Sequence, residues 1–248
     1  GLDKIDTCLS IAAKHDVSIN GIHTHIGSGI SKPENLIGAM RKMLKLADRF
    51  PDLQFVNFGG GLPIPYKTNE SPFDIEAFGK QAAAIFSEDL KSRPNDFHYW
   101  FEPGRWIVGE CGVLLAKITC VKDQGEITYL GTNSGFNHLA RPIIYNAYHE
   151  VLTLGKNDGE DYKTYTVSGN ICESGDILAK NRSLPTSTEG DILVFADAGA
   201  YGMTMVSHYN RRTFPAEVLI TQEDIPRVIR PRKDFEDTVK DFLADTHF

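Results

Sequence analysis

Long apolar runs, a basic excess and closely spaced cysteines are all missing from this chain of 248 residues. No apolar stretch approaches the about 20 residues that a membrane-spanning helix requires, and no signal-peptide pattern opens the chain. With 26 Lys and Arg against 33 Asp and Glu, the formal net charge is −7. That balance gives no general attraction to nucleic acid or to an anionic membrane surface. Cys8, Cys111, Cys120 and Cys172 have neither metal-ligand spacing nor the density of a disulfide scaffold, so reduced thiols, a cytosolic setting and no metal are expected. An initiator Met is also missing. The first residues enter directly on a helical pattern, with Leu2, Ile5, Cys8, Leu9 and Ala12 sharing a face, as in a piece of something longer.

What is present reads as strands that end in polar chemistry. Val17 to Ile26 is β-rich and runs into a Gly-Ser-Gly turn. Leu53 to Phe58 ends in Gly59, Gly60 and Gly61, and Phe97 to Phe101 ends in Glu102, Pro103, Gly104 and Arg105. Amphipathic helices are expected between them, near residues 34–49 and 74–92. Apolar strands alternating with helices imply a parallel sheet with helical crossovers. The spacing fits the units of a (β/α)8 barrel, which takes about 250 residues in all. About three units cannot close a barrel, so either the sheet is open or further units lie upstream of Gly1; the second is the expectation.

The strand ends carry the chemistry. Gly59 to Gly61 permits a turn whose amides could face an anion, or is a turn and nothing more. Ser28 offers a hydroxyl in a similar turn, and Arg105 offers a planar fork for phosphate oxygens or a surface ion pair. His23 and His25 share a strand face; one could lie on an aromatic ring or be structural. Glu102 could keep a pyridine nitrogen protonated, or pair with Arg105. Phosphate, stacked ring and carboxylate together point to pyridoxal phosphate.

From Gly109 the pattern becomes β-rich, which divides the chain into 1–108 and 109–248. Strands are expected over Val113 to Val121 and Glu126 to Leu130, with a hairpin turn at 122–125, then at Tyr162 to Val167, Asp191 to Phe195 and Ala216 to Ile220. Gly155 to Asp161 and Leu184 to Gly190 read as loops, and Lys233 to Leu243 as a closing helix. Cys172 beside Glu173, among small residues, suits an acid/base thiol in a tight loop or an inert thiol.

Five motifs in order carry a resemblance: HIGSG at 25–29, GGGLPIPY at 59–66, EPGR at 102–105, CESGD at 172–176 and AGAYG at 198–202. Over residues 17–218 the chain resembles the diaminopimelate decarboxylases, which are fold-type III, alanine-racemase-like pyridoxal-phosphate enzymes. The resemblance implies an N-terminal barrel, a β-domain and a homodimer with shared active sites. It also implies decarboxylation of meso-2,6-diaminopimelate at its D-centre to L-lysine and CO2. By its motifs, His25 stacks on the ring, and Ser28, Gly59, Gly60, Gly61 and Arg105 hold the phosphate, with Pro103 and Gly104 in the same cofactor loop. Glu102 meets the pyridine nitrogen, and Tyr201 touches cofactor and substrate. Cys172 donates the proton, Glu173 contacts substrate with Arg105, and Arg141 and Tyr145 bind the distal carboxylate. An ornithine- or lysine-like tail would need an acid in that place. The family's Schiff-base lysine has no counterpart here and is expected upstream of Gly1. Other readings are a sister decarboxylase for another carboxylate-tailed amino acid, and a non-catalytic relative that binds a partner.

Overall fold

The computed structural model of the protein describes residues 4–156 and 161–244. The chain forms two units, Gly1–Ile107 and Val108–Phe248, each with its own apolar core.

The first unit starts with helix α1 (Ile5–Lys14); Leu2, expected on its face, lies outside the described residues. Three short strands follow, β1 (Gly21–His23), β2 (Phe55–Asn57) and β3 (His98–Trp100), joined by helices α2 (Pro33–Ala47) and α3 (Ile75–Asp89). They form a parallel sheet in chain order with no register slip, so Ile22, Val56 and Tyr99 lie in one row. This is the expected succession of β/α units. Local chemistry starts both helices. Lys32 is extended, as the residue before a proline prefers, and Pro33 occupies the first turn of α2. The Asp74 carboxylate caps α3 by accepting from the Ala77 N–H at 2.8 Å. Leu36, Ile37, Met40 and Leu44 of α2 and Phe78, Ala82 and Ile85 of α3 cover the Ile22–Val56–Tyr99 face.

The strands are shorter than the apolar runs. Val17 to Ile26 pairs only over three residues, because Asp16 turns the chain with φ +54 before it and Gly27 (φ +121) and Gly29 (φ +74) bend it afterwards. His23 and His25 are therefore not on one strand face, as expected from their spacing; His25 lies past the strand, in the loop.

In the second unit, α4 (Gly104–Val108) spans the boundary and leads into a six-stranded sheet. Its strands are β4 (Leu114–Asp123), β5 (Thr128–Thr132), β6 (Val151–Thr153), β7 (Tyr162–Ser168), β8 (Ile177–Pro185) and β9 (Ile192–Phe195), in the order β6-β9-β4-β5-β7-β8. The two end strands β6 and β8 touch, and Thr153 Oγ1 lies 3.2 Å from Ser187 Oγ, so the sheet curls back on itself. Ala116 and Ile118 of β4 point into its core with Leu130, Val167, Leu193 and Phe195, while Leu115 and Lys117 point outward. A five-residue helix, α5 (Arg141–Tyr145), lies between β5 and β6. A hairpin of β10 (Glu217–Ile220) and β11 (Pro226–Arg230) and a helix α6 (Phe235–Ala244) complete the unit. The expected loop at Gly155 to Asp161 falls largely on residues outside those described. Strands β6, β8 and β11 were not expected; β8 runs to Pro185, into the stretch read as loop.

Candidate active site

At the carboxyl ends of β1, β2 and β3 the three loops are stitched together by backbone bonds. Thr24 N–H donates to Asn57 O at 2.9 Å, Glu102 N–H to Gly59 O at 2.9 Å, and Ile30 N–H to Gly61 O at 3.0 Å. The glycine triplet fits because nothing larger would. A Cβ on Gly59 would lie 2.4 Å from Thr24 O, one on Gly60 2.2 Å from Glu102 O, and one on Gly61 2.3 Å from Gly27 O. Two of the three amides face inward and not toward an anion, contrary to expectation: Gly59 N–H donates to Asn57 Oδ1 (2.8 Å) and Gly60 N–H to His25 Nδ1 (3.1 Å). Nor does a helix follow the triplet directly; α3 begins 14 residues on, at Ile75. Since His25 Nδ1 accepts, a neutral ring carries its proton on Nε2.

Glu102 is gripped from two sides. Asn57 Nδ2 donates to Oε1 at 3.0 Å, and His23 Nε2 stands 3.4 Å from Oε2. Among the described contacts of Glu102, none is to Arg105. The Arg105 guanidinium instead lies over the Tyr66 ring, 5.8 Å from its centroid. Ser28 is exposed between two glycines of positive φ. Asn57, His23 and Tyr66 were not assigned these parts from the sequence. For Tyr66 a signal existed, since it ends the GGGLPIPY motif; for Asn57 none did.

The second unit gathers the other candidates. Cys172 and Glu173 are exposed in the loop joining β7 to β8. Asp176, 3% exposed, holds that loop: its Oδ2 accepts from Ile171 N–H at 2.8 Å and its Oδ1 from Phe136 N–H at 2.7 Å. Gly169 and Gly135 make room for the carboxylate, since Cβ atoms there would lie 2.2 and 2.9 Å from its Oδ2. Burial pushes the Asp176 pKa up, and the two amide bonds oppose it. Tyr209 donates its hydroxyl to Glu173, which raises the phenol's pKa. The Tyr209 ring meets Phe136 edge-on at 4.9 Å.

Arg141 opens α5 and is 5% exposed, too buried to serve as a surface ion pair. Its Nη1 lies 2.9 Å from His149 Nε2. Tyr145, four residues on along the same helix, is 65% exposed. Ile143 of α5 packs where a Cβ on Gly175 would stand, which sets α5 against the Cys172 loop. Tyr201 sits in the turn after β9 with φ +59, a backbone region sparsely populated by aromatic residues.

The chain belongs to the pyridoxal-dependent decarboxylases: residues 11–199 match the family model described as "Pyridoxal-dependent decarboxylase, C-terminal sheet domain". Among curated relatives, the diaminopimelate decarboxylase of Methanothermobacter thermautotrophicus is 39% identical over 229 residues, covering 89% of this chain and 52% of the relative. That of Archaeoglobus fulgidus is 40% identical, with 89% and 53% covered. A solved diaminopimelate decarboxylase superposes with a TM-score of 0.89 at 32% identity, covering 100% of this chain and 61% of that one. The chain thus spans about half the length of the curated relatives it matches.

The family name implies a pyridoxal cofactor, and the first unit's residues fit one. A carboxylate held by two donors, an exposed imidazole and a serine hydroxyl stand on loops joined at one sheet end, and a guanidinium stands in the helix just after Glu102. These are the partners that a ring nitrogen, a ring face and a phosphate require.

Proposed function

We propose that the full-length protein decarboxylates meso-2,6-diaminopimelate to L-lysine and CO2, using pyridoxal 5′-phosphate, as a cytoplasmic homodimer with shared active sites. The buried Arg141 carries the substrate assignment: a fixed guanidinium suits a tail ending in carboxylate, whereas an ammonium tail would be repelled. Bound to the chain, the cofactor supplies the electron sink that makes loss of CO2 from an α-carbon feasible.

The chain's own residues do the rest. Glu102, steadied by Asn57 and His23, keeps the ring nitrogen protonated. His25, held by Gly60 N–H, lies against the ring. Arg105 and Ser28 bind the phosphate. Of the three glycine amides, those of Gly59 and Gly60 are engaged within the protein, so the backbone contact to phosphate falls to Gly61. Pro103 and Gly104 shape the loop between Glu102 and Arg105. Cys172 delivers the proton that replaces CO2, Glu173 is aimed at substrate by Tyr209, and Tyr145 and Tyr201 close on the ligand. The lysine that captures the cofactor belongs to the part of the relatives' length that this chain does not span.

The test is CO2 release by the full-length protein from meso-diaminopimelate, ornithine, lysine and arginine. Release from diaminopimelate alone, with L-lysine as product, is expected. Turnover of ornithine with diaminopimelate untouched would overturn the reading of Arg141.

A further inference from the structure

His149 has no part in the motifs, yet it is 1% exposed and sits between Arg141 and the strand that leads into the 198–202 motif. Its Nε2 is 2.9 Å from Arg141 Nη1 and its Nδ1 is 2.8 Å from Ala196 O, two residues before the 198–202 turn. The carbonyl can only accept, so the proton is on Nδ1. Nε2 is then a lone-pair acceptor, the one role in which an imidazole can meet a guanidinium. Burial, with Arg141 and Arg182 nearby, lowers the His149 pKa to about 4 and keeps the ring in that neutral form. The backbone supports the arrangement: Ala196 N–H donates to Glu150 O at 2.9 Å, which fixes the carbonyl's strand beside His149.

We propose that His149 is the positioning residue of the substrate's distal-carboxylate site, setting the direction in which Arg141 presents its guanidinium and linking it through Ala196 to the turn that carries Tyr201. This rests on the reading of Arg141 as the carboxylate-binding group. A core histidine would be satisfied by any two partners. This one uses opposite edges of its ring to join a buried cation on α5 to the strand before Tyr201.

The two edges can be removed separately in the full-length protein. In His149→Gln the amide oxygen stands near the ε edge and can still accept from Arg141. In His149→Asn the amide stands near the δ edge and can serve only Ala196. His149→Asn is expected to raise KM for meso-diaminopimelate about tenfold or more, as losing a hydrogen bond to a charged group implies, with kcat changed far less. His149→Gln is expected to keep KM within about threefold of the wild type. Equal KM in both variants, or an effect on kcat alone, overturns the proposal. A second readout needs no variant: 15N NMR of the wild-type ring should show the Nδ1–H tautomer, and an Nε2–H tautomer overturns it. Arg141→Ala separates the layers. If it raises KM while neither His149 variant does, this proposal falls alone; if it leaves KM unchanged, the carboxylate reading falls and takes this proposal with it.

Discussion

A buried carboxylate can fix a loop from within, and Asp176 does so for the loop that carries Cys172. Its oxygens accept two backbone amides, one from each of the loops at 171 and 136. Asp176→Asn replaces one acceptor by a donor facing an N–H. It is expected to cost about 2–3 kcal/mol of unfolding free energy, read from a denaturant melt, and to loosen the Cys172 loop, read as faster alkylation of that thiol. Unchanged stability would mean that the loop holds itself. His149 gives a pH prediction of definite sign. Its folded pKa, about 4, lies below the unfolded 6.5, so its contribution is complete above pH 6.5 and is lost as pH falls toward 4. The loss amounts to roughly 3 kcal/mol at the low end. The shift of Asp176 has the opposite sign, since a raised carboxyl pKa favours folding as pH falls, so the His149 term is isolated as the difference in melting between wild type and His149→Gln. That difference should shrink between pH 6.5 and 4. At this scale the sequence displayed the residues assigned to the ligand but not those that hold them in place. Cys172, Glu173 and Arg141 stand in recognisable company, whereas the partners that matter for His149 and Asp176 are up to 47 positions away.

Among elements, Arg93 fastens the helical layer of the first unit. Its side chain, 10% exposed, pairs with Asp89 at 2.9 Å and with Asp48 at 2.8 Å, and donates to Leu44 O at 3.1 Å. Tyr99 of β3 donates its hydroxyl to the same Asp89 at 2.7 Å, so one carboxylate joins α3 to the sheet. Arg93→Ala strands Asp89 and is expected to lower the unfolding free energy by about 3–5 kcal/mol in urea; a change under about 1 kcal/mol would show the pair to be a surface contact. At the glycine turn, Gly60→Ala drives a methyl into Glu102 O. Weakened cofactor binding, followed by visible absorbance, should exceed any loss of helical signal. The helices α2 and α3 were legible within a few residues, because a 3.6-residue apolar period runs through each and Pro33 and Asp74 mark their starts. The strands were not. An apolar run shows which residues can be buried, but pairing stops where a glycine of positive φ turns the backbone away, and β8, with Lys180, Asn181 and Arg182 in its middle, has no apolar run to show.

For the whole molecule, the proposed homodimer has its own signature. If Cys172 serves a neighbouring subunit's cofactor, mixing inactive Cys172→Ala and Glu102→Gln proteins should restore about a quarter of wild-type activity, since half the random dimers then carry one intact site. Mixtures that stay inactive would confine each site to one chain. The division between a parallel α/β part and a β-rich part was visible in the change of pattern near Gly109. The curling of the six-stranded sheet was not, because contact between β6 and β8 depends on strands separated by the rest of the order. The most direct measurement is to let the full-length protein act on meso-diaminopimelate in heavy water and analyse the product by mass and NMR. L-lysine is expected with one deuterium on the carbon that lost CO2, in one configuration, at a rate that Cys172→Ala lowers by about a hundredfold or more. Absence of lysine, or a product equally labelled in both configurations by wild-type and Cys172→Ala proteins alike, would contradict it.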